Sequence, residues 1–298
     1  MQNETQAQKK IGIIGGSGLG DRLGAGKDVE QVYVDTPFGP PSGPLLFVNW
    51  HGVDVYFLSR HGTGHTIPPS SVPYRANIFA LKSVGVTQVI ASGATGSLRE
   101  EIEPKHLVIC DQVIDKTHQR KSSFFENGLA AHVEWAEPFC PTLRRSLLDA
   151  RPAEATVHER GTYVVMEGPQ FSTRAESHMH RAWGGDLIGM TCCPEAKLAR
   201  EAEMCYALVA MATDYDCWRE SGPVVDKHTL LNEIIGHLNK AADSAFALIE
   251  ETVKNLASSD DPGCHCKSAL ELAIWSNKGK VDPSLVKKLK PLVGRYFE

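Results

Sequence analysis

No run of about 18 consecutive apolar residues occurs in the 298-residue chain, so nothing in it spells a membrane-crossing helix. Basic charge is not in excess either. Lys and Arg number 31 against 36 Asp and Glu, a net charge of -5 with His neutral. A nucleic-acid partner is not expected, because such binding needs a cationic surface that displaces counter-ions. Eight cysteines are too few for a disulfide scaffold. Cys110, Cys140, Cys192, Cys193, Cys205, Cys217, Cys264 and Cys266 lie mostly inside apolar runs. They read as reduced, buried, small hydrophobes of a cytoplasmic protein. Cys264-His265-Cys266 has ligand chemistry but lacks a second Cys/His pair at ligand spacing, so no metal is expected. The polar stretch 1–10 has no apolar signal core and reads as a disordered tail.

What is present is an ordinary globular balance, 42% hydrophobic and 22% charged, enough to bury a large core. Length alone suggests about two domains, but no repeat or Pro/Ser-rich linker divides the chain, and one domain is expected. Apolar, β-rich runs lie at 11–14, 45–48, 53–59, 89–92, 107–114, 162–166, 187–190 and 206–213. Several are continuous, as in strands buried on both faces. Helical spacing occupies the intervals: about 70–84, 143–150, 172–183, 194–205 and 230–255, with a short helix at 283–288. Alternating strands and helices imply an α/β fold with a mixed or parallel sheet. Residues 263–298 read as an appendage.

Five segments at strand ends carry chemistry. Gly15-Gly16-Ser17-Gly18 follows the first strand and suits either an anion held by backbone N–H groups or a plain tight turn. The dinucleotide pattern fails, because the position of its third glycine is Asp21 or Leu23, and the P-loop lysine is missing. That argues against a nicotinamide-dependent dehydrogenase. Arg60-His61 follows the strand 53–59; the guanidinium fork matches phosphate oxygens and His61 adds a donor, unless the pair is merely at the surface. Ser92-Gly93-Ala94-Thr95-Gly96-Ser97 is a second small-residue loop, either anion-binding or a turn needing glycine dihedrals. In Glu167-Gly168-Pro169-Gln170-Phe171, a carboxylate beside an aromatic suits a heteroaromatic ring, or Phe171 belongs to the core. Asp214-Tyr215-Asp216 puts two carboxylates on one side of an extended segment. Their mutual repulsion drives their pKa values apart, as acid catalysis needs; the competing account is an acidic pair at a helix N-terminus.

With these residues in view, the chain resembles the S-methyl-5′-thioadenosine phosphorylases of the trimeric purine nucleoside phosphorylase superfamily. The matching blocks are 11–19, 34–40 (VDTPFGP), 60–62, 96–102 (GSLREEI), 136–141 (AEPFCP), 166–177, 190–198 and 210–218 (AMATDYDCW). The resemblance implies a phosphorylase domain over 11–262, a single α/β domain whose twisted mixed sheet partly closes into a barrel and is flanked by helices, with 263–298 packing on it. It implies a cytoplasmic homotrimer that uses inorganic phosphate as co-substrate and no cofactor or metal, releasing adenine from a 5′-methylthio nucleoside. Ser17, Arg60, His61, Gly93, Ala94 and Thr191 correspond to the phosphate site, Met190 to the residue against the ribose, and Phe171 to the base-stacking aromatic. Ser172 matches the base edge, and Asp214, Tyr215 and Asp216 the adenine-reading segment, with Asp214 as catalytic acid. His132 corresponds to the histidine contributed across the subunit interface. Gly93 stands where close relatives carry threonine, and Ser17 replaces a common threonine. Near Val225, His228 takes the place of an apolar residue at the 5′ substituent. A histidine there either hydrogen-bonds a 5′-hydroxyl, which would favour adenosine or inosine, or faces solvent.

Overall fold

The computed structural model of the chain describes residues 9–16, 29–126, 128–219, 227–258 and 263–298. Ser17, Val225 and tail positions 1–8 lie outside the described residues. The strands are β1 (Lys10–Gly15), β2 (Glu30–Val32), β3 (Leu45–Trp50), β4 (Val53–Ser59), β5 (Gln88–Ser97), β6 (Leu107–Ile109) and β7 (Gln112–Asp115). β8 (Val157–His158), β9 (Thr162–Val165), β10 (Leu187–Gly189) and β11 (Cys205–Tyr215) complete one mixed sheet. The helices are α1 (Tyr74–Ser83), α2 (Pro141–Asp149), α3 (Arg174–Ala182), α4 (Cys192–Glu201), α5 (Lys227–Ser258), α6 (Pro283–Lys288) and α7 (Lys290–Val293). β1 already begins at Lys10, which pairs with Asp54 of β4, so the first strand starts within the stretch read as a tail.

The continuous apolar run of β11 is explained by its burial on both faces. Cys205, Ala207, Val209 and Met211 enter one core with α2 and α5. Tyr206, Leu208, Ala210 and Ala212 enter the other with α1, α4 and the C-terminal segment. Strand alternation distributes the side chains, and both cores require them apolar. The C-terminal residues are tied to the body through Glu203, which accepts from the Leu270 N–H (3.0 Å), Arg295 Nη2 (2.7 Å) and the Tyr296 hydroxyl (2.5 Å).

Two departures from the sequence expectation create the site. The run 107–114 is two strands, because the chain changes partners midway: Cys110 N–H bonds Leu208 O and Asp111 N–H bonds Gly161 O. β6 thus pairs with β11 and β7 with β9, which draws the two branches of the sheet toward each other. The expected loop 92–97 is the second half of β5. Along one edge of β5, β1 pairs as far as Ala91 and β10 takes up only Gly96 and Ser97. Between them, among the described residues, that edge carries no strand from Ser92 to Thr95. A parallel sheet opens for ligands where neighbouring strands diverge, and this gap is such a place.

Candidate active site

At the gap, Gly16, Arg60, Gly93 and Thr191 come together. A Cβ placed on Gly16 would lie 3.4 Å from Arg60 Nη1 and 3.7 Å from Ser92 O. One placed on Gly93 would lie 3.5 Å from Thr191 Oγ1. Ala94 faces outward beside buried Gly93. Arg60 is fully buried, and its fork is held by Glu195 through Nε (2.7 Å) and Nη2 (2.8 Å), while Nη1 donates to Ser92 O at 2.9 Å. The fork expected to take phosphate oxygens is therefore occupied by a carboxylate. Of its five N–H groups, the two left for an anion lie on Nη1 and Nη2. Burial disfavours the cation, but the Glu195 ion pair more than offsets that and raises the Arg60 pKa. His61 is also redirected. Burial pulls its pKa down to about 4 against the bond to Ile67 O, so the ring is neutral near pH 7. Nδ1 lies 2.8 Å from Ile67 O and donates to it. Nε2 is then an acceptor, suited to a protonated phosphate oxygen rather than to donation.

The other pole lies further along the same pair of strands. Asp214 pairs with Gly96 across a bulge in β11, three residues beyond Gly93, about 10 Å along a strand. Its Oδ1 accepts from the Thr213 hydroxyl at 2.7 Å. Burial, with the Asp216 charge, raises its pKa above the ordinary carboxyl value, against the Thr213 bond. Asp216 anchors its N–H on Ser97 O (2.9 Å), and its Oδ2 is buried with no partner among the described residues. An orphaned carboxylate oxygen is costly unless a ligand supplies a donor. Phe171 is 85% exposed, which removes the core alternative and leaves its ring face open. It is placed just before α3 by a capping box, in which the Thr173 side chain takes the Glu176 N–H and Glu176 returns to Thr173. Ser172 joins the same wall: its hydroxyl donates to Met166 Sδ (3.9 Å), and its carbonyl accepts from Cys217 Sγ at 3.2 Å. Half-buried Met190 lies over Gly168, whose φ of +70° and lack of a Cβ, which would sit 2.6 Å from Met190 Sδ, together require glycine.

Several expectations need correction. The Tyr215 hydroxyl donates to Glu100 O at 3.0 Å and its ring packs on Trp218, so only its backbone is available to a base. Glu167 does not offer its carboxylate to a ring. Although burial opposes it, the His118 and Gln119 N–H groups and Arg120 hold its pKa down at about 2. His228 is exposed at the start of α5. His237, nine residues on, half a turn away at 100° per residue, puts Nδ1 3.1 Å from Thr213 O. The helix therefore turns His228 away from β11. His132 is partly buried, with its N–H on Ala273 O (2.9 Å) and its ring against Trp275.

Three groups were not singled out in the sequence. Glu195 takes Arg60 and the Tyr206 hydroxyl (2.8 Å). Buried Arg120 ties Glu167 to the Met190 and Cys193 carbonyls (2.5 and 2.7 Å), and His237 sits under the base strand. Glu195 lies inside the resembling block 190–198, but nothing local marks it as the partner of an arginine 135 residues away.

A profile described as the Phosphorylase superfamily matches residues 10–254. An S-methyl-5′-thioadenosine phosphorylase from Synechocystis sp. is 46% identical, over 99% of this chain and 90% of its own. One from Geobacter sulfurreducens is 45% identical, over 97% of this chain and 99% of its own. Among solved structures, a methylthioadenosine phosphorylase from an Antarctic soil metagenomic library superposes with TM-score 0.87 at 43% identity, covering 96% of this chain and 99% of that one. A Schistosoma mansoni protein described as an adenosine/methylthioadenosine phosphorylase superposes at 0.81 with 34% identity, covering 90% of this chain and 100% of that one. By these matches the chain belongs to the phosphorylase superfamily and, within it, to the S-methyl-5′-thioadenosine phosphorylases.

Proposed function

We propose that the protein catalyses phosphorolysis of S-methyl-5′-thioadenosine to adenine and 5-methylthioribose 1-phosphate. The observation that carries this reading is the placement of an anion pole and a carboxylic-acid pole on one stretch of β5–β11, about 10 Å apart along the strand. Phosphate sits at the gap in the sheet, against the spare Arg60 N–H groups, His61 Nε2, the Gly93–Ala94 backbone and Thr191, with the Ser17 hydroxyl as a further donor by its correspondence to the family's phosphate site. As the glycosidic bond breaks, the sugar gains positive charge, and a phosphate anion beside it stabilises that charge. Met190 lies against the ribose. Phe171 stacks on the purine, and Ser172 borders its edge.

Asp214 is the catalytic acid. Its raised pKa shifts the carboxyl toward the protonated form that a general acid at the imidazole nitrogen of the leaving base needs, and such general acid catalysis is worth about 10²–10⁴-fold. Asp216 accepts from the exocyclic amine, which favours a 6-aminopurine; an amide there would suit a 6-oxopurine better. No cofactor enters the reaction, and inorganic phosphate is the co-substrate. The enzyme acts in the cytoplasm as a homotrimer, with His132 reaching a neighbouring site. The exposed Trp275 and Leu272 beside it supply apolar surface for that contact.

The test is adenine release from 5′-methylthioadenosine, adenosine and inosine, each with and without phosphate. Phosphate-dependent turnover fastest on the methylthio compound is expected. Faster turnover on adenosine or inosine would return His228 to the 5′ position. Turnover without phosphate would mean hydrolysis and overturn the reading of Arg60 and His61. Light scattering should give about three times the 32.6 kDa chain mass.

A further inference from the structure

At the opposite end of β11 from Asp214, four cysteines distant in sequence converge. The sulfurs of Cys140, Cys205, Cys264 and Cys266 all lie within 4.8 Å of one another. Cys140 caps the N-terminus of α2 and Cys205 opens β11. Cys264 and Cys266 come from the turn that begins the C-terminal segment. The pair missing from the local sequence around Cys264 and Cys266 is thus supplied by the fold. Cys140, Cys205 and Cys266 are buried, and Cys264 is half-buried. The Leu143 N–H donates to Cys140 Sγ at 3.4 Å, an arrangement that favours the thiolate at a helix N-terminus.

We infer that Cys140, Cys205, Cys264 and Cys266 form a closed four-thiolate site for a soft tetrahedral divalent ion, Zn²⁺ in the first instance. Zn–S bonds of about 2.3 Å place four sulfurs at mutual separations of about 3.8 Å, within the span observed. One pair, Cys205 and Cys264 at 3.0 Å, opens by about 0.8 Å around an ion. Convergence of all four sulfurs on one point, rather than in two separate couples, is what single-ion coordination requires. Burial excludes water from a fifth position, the mark of a structural rather than a catalytic site. The ion replaces the thiol protons, which pass to solvent. Cys205 and Asp214 are nine residues apart on one strand, about 30 Å, so the ion takes no part in the chemistry. It ties the 263–298 segment to the core formed by α2, β11 and α5.

The test uses the full-length, reduced protein. Metal analysis after expression with zinc should give about one Zn²⁺ per chain. Co²⁺ replacement should give the thiolate charge-transfer and ligand-field bands of a tetrahedral four-sulfur ion. Both signals should fall at least about tenfold in the C264S/C266S double variant, and chelation should lower the Tm of the wild-type protein. Wild-type protein that takes up neither ion overturns the inference. So does a metal-free protein lighter by the hydrogens that two disulfides lose. None of these readouts depends on which nucleoside the enzyme turns over.

Discussion

The two poles of the active site differ in how finished they are. At the phosphate pole Arg60 and His61 are already held, Arg60 fully buried on Glu195 and Ser92 and His61 fixed on Ile67, although the Ser92 hydroxyl is buried with no partner among the described residues. At the base pole Phe171 stands 85% exposed and Asp216 Oδ2 has no partner among the described residues. The first pole is pre-organised, so an anion meets donors that need no rearrangement. In the proposed function the second is completed by its ligand, which would cover the aromatic face and supply the missing donor. Small changes at the first pole should therefore damage the protein itself, while changes at the second should damage catalysis and leave the fold intact.

The largest expected effect tests the second half of that contrast. Asp214→Asn should lower kcat by about 10²–10⁴-fold with an unchanged Tm; kinetics like the wild type would remove Asp214 from the chemistry. Next comes Glu195→Gln, which strips the charge from the partner of buried Arg60. Breaking one side of a buried ion pair costs about 3–5 kcal/mol, so chemical denaturation should show a loss of that order together with a raised KM for phosphate. A stable variant with altered phosphate kinetics alone would mean that the pole is less rigid than described.

Phe171→Ala should raise the nucleoside KM about 2- to 12-fold, the equivalent of about 0.5–1.5 kcal/mol of stacking. Stability should move by no more than about 0.5 kcal/mol, because the ring is exposed. A further effect is on pH dependence. Burial holds the folded-state pKa of His61 at about 4, below its ordinary value of 6.5, so the unfolded chain takes up its proton first. Its contribution to stability is complete above about 6.5 and is lost as pH falls toward about 4. Glu167, held near 2 against 4.5, contributes above about 4.5 and loses its contribution toward about 2. Acid titration of Tm should show both windows, and His61→Asn should remove the upper one.

Much of this architecture is legible in the sequence because it is local. The strand at 53–59 and the helix at 283–288 coincide with the observed β4 and α6, since an apolar run bounded by turn residues, or Asp282-Pro283 starting a helix, carries its own signal. The carboxylates of β11 are legible for the same reason, as they end an unbroken apolar strand. What could not be read depends on which segments meet. The division of 107–114 is set by a change of partner strand, and the continuation of β5 through Gly93 and Gly96 by the pairing of β11 along it. Glycines that spell a loop in isolation become strand residues when a neighbouring strand pairs along them. Glu195 and the Arg120–Glu167 clamp escaped for the same reason: single charged residues acquire meaning only from partners many residues away.

One consequence follows from the continuous pairing of β5 with β11, which carries the Gly93 end and the Asp214 end of the site on the same ladder. The interval between the proposed seat of the nucleophile and the proposed acid is counted in residues of one ladder, like marks on a ruler. Sliding either strand by a single residue would turn every apolar side chain of β11 to the wrong core. The distance is thus locked by the same residues that keep the protein folded. A change of substrate in this protein must come from the side chains at the marks, such as Asp216, Phe171 or Met190, because the marks themselves cannot move.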